Sequence, residues 1–103
     1  MEQTLSKVKN LEKFIQEHGE DSFISKTISK MLNYKIQKYE EEIKRLNKEL
    51  KKFEQTYEKE SSIFFKEFNE GLLGDRMDFV EWSSLYQMRN HLLERKNTLE
   101  GKT

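Results

Sequence analysis

Seven apolar residues alternate at spacings of three and four without a break between positions 36 and 57: Ile36, Tyr39, Ile43, Leu46, Leu50, Phe53 and Tyr57. A repeat of this kind keeps its members on one side of an α-helix and forms the seam of a coiled coil. A β-strand alternates with period two and cannot place these residues on one face. Upstream, Phe23, Ile24, Ile28, Met31 and Leu32 continue an apolar face but lose the strict repeat. The pattern predicts one helix from Ser22 to about Glu60, roughly 58 Å long at the helical rise of about 1.5 Å per residue. Its stripe must be covered, because a lone helix is marginal in water. Glu40 with Lys44 and Glu41 with Arg45 are oriented as i,i+4 ion pairs, each contributing about 0.2–0.5 kcal/mol.

The flanking segments read as shorter helices. Leu5, Val8, Leu11 and Ile15, with Phe14 beside them, predict a helix from about Thr4 to His18. Gly19 suits the left-handed position that ends it, and Asp21 and Ser22 can cap the next helix. Ser61 and Ser62 can cap a short helix over 63–70, and Gly71 and Gly74 bracket a turn. Asp78 with Glu81 resembles a capping box before a last helix from Phe79 to about Leu99, ended by Gly101. The first and last helices, roughly 22 and 32 Å long, together nearly match the central one. Either one chain covers its own seam, with these two helices on the two halves, or two copies pair as a homodimer. The expectation is a single all-α domain over residues 1–103: a long central coiled-coil helix with shorter helices packed along it as an antiparallel hairpin or bundle.

Composition narrows the rest. The 103 residues include no proline and only four glycines, too few for the turns of an all-β domain. Cysteine is absent, which removes disulfides, thiolate metal sites and cysteine nucleophiles. No apolar run approaches a membrane span and no signal-peptide pattern opens the chain, so a cytoplasmic location is expected. His18 and His91 each lack a second histidine one turn away, and the consecutive Glu40, Glu41 and Glu42 diverge around a helix. Glu67 and Glu70 share a face without the Glu-x-x-His of a di-iron site. No phosphate loop or nucleophile arrangement occurs. Neither enzymatic activity nor a metal or other cofactor is expected.

Charge and aromatic residues are unevenly placed. Lys and Arg number 19, as do Asp and Glu, so the chain is formally neutral and nucleic acid is not the expected direct ligand. Yet Phe23 to Tyr39 holds Lys26, Lys30, Lys35 and Lys38 with no acid, and Phe53 to Glu81 holds eight acids against three bases. The aromatic set Phe64, Phe65, Phe68, Phe79, Trp82 and Tyr86 is dense for so small a chain. It suits either a core around the turn or the anchors of an interface; Trp82, Tyr86 and Arg89 share one helix stripe.

From Phe53 to Leu99 the order is specific: a heptad helix ending in Phe53 and Tyr57, Ser61-Ser62, Phe65 and Phe68, Gly71-Leu72-Leu73-Gly74-Asp75, Asp78-Phe79-Val80-Glu81-Trp82, then Leu85 and Leu92. This half of the chain resembles small helical antitoxins of bacterial and archaeal toxin–antitoxin pairs, and the first 35 residues match no part of that pattern. The resemblance implies a non-enzymatic protein that sequesters a toxin, often a nuclease or nucleotide-modifying enzyme. On that reading the binding residues are Phe64, Phe65, Phe68, Phe79, Trp82, Tyr86 and Arg89, with Glu67 and Glu70 facing the basic, phosphate-holding site of the toxin. A self-associating coiled-coil scaffold and a nucleic-acid-binding regulator built on the lysine run are the alternatives.

Overall fold

The computed structural model describes residues 2–102 and is all-α. Four helices follow in order: α1 (Glu2–His18), α2 (Ser22–Tyr57), α3 (Ser61–Asn69) and α4 (Met77–Glu100). The described residues include no strand. Their contacts fall into two compact units, one up to Asn33 and one from Tyr34 onward. The boundary lies inside α2 rather than in a linker, in keeping with a sequence that has no linker-like stretch.

Local chemistry sets the helix ends. Gly19, at φ 82°, ends α1 and donates its N–H to the Ile15 carbonyl at 2.8 Å. The Asp21 carboxylate accepts the Ile24 N–H at 2.8 Å and so caps α2. Gly101, at φ 73°, closes α4. The long helix stops at Tyr57, short of the expected Glu60, because Glu58 turns into the left-handed region at φ 51°.

Two expected caps are replaced by longer-range contacts. Ser61 and Ser62 do not cap α3: the N-cap is Glu60, without a side-chain bond. The Ser61 N–H instead donates to Glu54 Oε2 at 2.8 Å, so a carboxylate from the end of α2 satisfies the start of α3. Asp78 and Glu81 form no capping box either; the N-cap of α4 is Arg76, and Asp78 accepts a hydrogen bond from the Tyr57 hydroxyl. On α2, the ion pairs within reach are Lys38–Glu41, Arg45–Glu42 and Lys52–Glu49, all at i,i+3 spacing. Neither Glu40–Lys44 nor Glu41–Arg45 is among the pairs formed by the described residues.

In the second unit α4 runs antiparallel to α2. Tyr57 meets Phe79 near one end, and Ile43 shares a groove with Leu93 and Lys96 further along. The seam residues Ile43, Leu46 and Leu50 are buried, Leu46 completely. This part of the seam is therefore covered within the chain. Leu50, Phe64 and Trp82 form the centre of the core, with Phe53, Tyr57, Phe68, Leu73, Phe79 and Leu85 packed around them.

The first unit differs in kind. Leu11 and Ile15 of α1 and Ile24, Ile28 and Leu32 of α2 are half-buried, and no residue described in this unit is fully buried. Leu5, Val8, Phe14, Phe23 and Met31 stay exposed, Phe23 at 76% and Met31 at 62%.

Candidate partner-binding surface

The aromatic residues expected to anchor a partner assemble into a stack. Trp82 lies face to face with Phe64, their ring centroids 3.8 Å apart and the planes 5° from parallel. Phe53 and Tyr57 from α2 also stack against Trp82, at 5.6 and 5.7 Å. Phe64 touches Phe68 and Phe79, each at 5.5 Å. The indole N–H of Trp82 donates to Ser61 Oγ at 2.9 Å. Since the Ser61 N–H donates to Glu54, one short network joins α4, α3 and α2 at the buried centre.

Tyr57 closes the stack toward solvent. The hydrogen bond to Asp78 holds the phenol above its ordinary value, with burial and the Asp78 charge acting in the same direction and Arg76 against them. A raised phenol value means that the contact contributes fully below pH about 10. The phenol's share of it is lost as pH rises through the raised value, so it is present at neutral pH.

These positions decide which of the expected anchors a partner could reach. Phe64 and Trp82 are fully buried, and no partner can reach them on this fold. Phe65, Phe68, Phe79 and Tyr86 are half-buried against the same core. Arg89 places its guanidinium 5.2 Å over the Tyr86 ring, and its buried Nε has no hydrogen-bond partner. Glu67 is engaged by Lys59 within the chain, whereas Glu70 is exposed beyond the end of α3. The stripe shared by Trp82, Tyr86 and Arg89 thus faces inward. Of the eight acids between Phe53 and Glu81, Glu54, Glu67 and Asp78 are held by internal partners.

The exposed apolar surface lies elsewhere. On the outer side of α4, Met77, Val80 and Met88 are exposed, and a groove there is lined by Phe68, Val80, Ser84, Met88 and His91. In the first unit a nearly wholly apolar groove is lined by Val8, Leu11, Ile15 and Ile28, with Glu12 and Gln16 at its edge. Sequence reasoning missed the α4 stripe because the apolar residues of that helix run all the way round it. The 3-4-4-3 spacing of Met77, Val80, Ser84, Met88 and His91 was the signal.

Of the basic run, Lys35 and Lys38 lie 5.3 and 5.5 Å from the Tyr39 and Tyr34 rings. No three His, Asp or Glu residues converge as a metal site among the described residues. No helix of the described residues is long and apolar enough to cross a membrane. No known family, characterised protein or solved structure matches the chain.

Proposed function

We propose that the protein acts by binding another protein, sequestering a toxic enzyme as the helical antitoxins it resembles do. The observation that carries this reading is the first unit: two amphipathic helices whose apolar stripes meet without burying any described residue. A helical pair gains its stability from buried apolar surface rather than from propensity. A pair left this exposed is completed by a partner that covers it. The second unit, with its stacked aromatic core, is the folded body that carries the pair. The partner surface thus shifts from the aromatic set to Leu5, Val8, Phe14, Phe23 and Met31, in the stretch that the antitoxin resemblance does not reach. Because Ile43, Leu46 and Leu50 are already buried within the chain, a scaffold built by pairing two α2 seams as a coiled coil is disfavoured.

The test is co-expression with the product of the neighbouring gene. That product alone should arrest growth, and co-expression should restore growth and yield a complex that survives size-exclusion chromatography. Val8→Glu with Met31→Glu changes two exposed side chains. At about 1.5–3 kcal/mol per apolar side chain buried on binding, the pair should weaken the complex by 100-fold or more. The circular dichroism spectrum should keep its helical signal. A harmless neighbour, or a complex indifferent to both substitutions, would contradict the proposal.

A further inference from the structure

Two separate places in the second unit present unpaired charge of opposite sign, and Arg76, which adjoins the acidic one, lies over the Tyr57 and Phe79 rings. On α2, Lys44, Lys48 and Lys51 line one side of a groove whose floor is Ile43 and Leu93 and whose far wall carries Lys96. Most of the groove surface is apolar, and Glu40 is its one carboxylate. Lys96 is paired with Glu100 at 3.6 Å, but none of the three α2 lysines has a carboxylate within ion-pair distance among the described residues. At the other end of the unit, the turn between α3 and α4 presents Leu72 at 66% exposure between the exposed carboxylates of Glu70 and Asp75. Its neighbour Leu73 tucks against the core, so the turn is held with Leu72 outward.

We infer that these two features are the halves of one interface, and that the groove receives the acidic, leucine-bearing turn of a second copy of this chain. Leu72 would lie against the half-buried Leu93, beside the already buried Ile43, and Glu70 and Asp75 would meet Lys44, Lys48 and Lys51. A chain cannot fill its own groove, because about 24 Å of α4 separates Met77 from Leu93 at the helical rise. Two copies laid antiparallel about a two-fold axis make the contact twice. The groove offers no aromatic ring for base stacking, which favours an acidic protein segment over a nucleic-acid strand. This pairing uses neither the first unit nor the toxin partner and stands apart from the proposed function.

The full-length chain alone provides the test. At about 200 µM in low salt, light scattering should report a dimer, and about 0.5 M salt should return it to monomer, because exposed pairs are screened at that ionic strength. In a mixture of unlabelled and 15N-labelled chains, a zero-length carbodiimide should join Glu70 or Asp75 of one isotope to Lys44, Lys48 or Lys51 of the other. Lys44→Glu with Lys48→Glu should give a monomer, as should Glu70→Lys with Asp75→Lys. Mixing the two variants restores opposite charges at both contacts and should restore the dimer. A wild-type monomer at that concentration overturns the inference and leaves the groove open to an acidic segment of another protein. A dimer indifferent to either charge reversal overturns it as well.

Discussion

Trp82→Ala should lower the melting temperature by more than about 12 °C. Trp82 is fully buried and stacks on Phe64, Phe53 and Tyr57. Truncating a buried Trp costs about 3–5 kcal/mol, and about 1 kcal/mol moves the midpoint of a domain this size by roughly 4–8 °C. The substitution also leaves the Ser61 hydroxyl without the indole donor. Trp82→Phe keeps a ring in the stack but removes that donor, and should cost about 1–3 kcal/mol. Thermal melts followed at 222 nm separate the three proteins. A Trp82→Ala variant that melts within about 2 °C of the parent would show that the stack is not the centre of the fold.

Leu46→Asp should be at least as damaging. Leu46 is fully buried at the middle of the covered seam. An uncompensated charge in such a place costs about 4 kcal/mol or more, a large part of the 5–15 kcal/mol that holds a small domain folded. Val8→Asp offers the contrast. Val8 is 54% exposed in the first unit, and its substitution should move the stability of the free chain by no more than about 0.5 kcal/mol. Urea titration of both variants gives the comparison. Equal midpoints would mean that the seam is not buried.

The features readable from sequence are the local ones. The alternation from Ile36 to Tyr57 fixes a helix because spacing along a chain is spacing around a helix, and Gly19 and Gly101 mark ends because each occupies a left-handed position. The roles of Ser61 and Asp78 were not readable, since each is set by a side chain 21 positions away: Trp82 for Ser61 and Tyr57 for Asp78. The same limit applies to the aromatic set. Whether the stripe of Trp82, Tyr86 and Arg89 faces a partner or the chain's own core depends on how α3 folds back to place Phe64 against Trp82. The unpaired lysines were hidden too. An i,i+4 rule assigns Lys44 to Glu40, whereas the ion pairs of α2 form at i,i+3 and leave Lys44, Lys48 and Lys51 along the groove.

Hydrogen exchange, measured on the free chain and on its complex with the co-expressed neighbour, tests the central claim most directly. Elements that bury little apolar surface open at low free energy and exchange fast. In the free chain, amides of α1 and of α2 up to Asn33 should exchange orders of magnitude faster than those around Leu50, Phe64 and Trp82. In the complex the first group should become slow and the second should stay as it was. Slow exchange of α1 in the free chain, or no change on binding, would contradict a first unit completed by its partner.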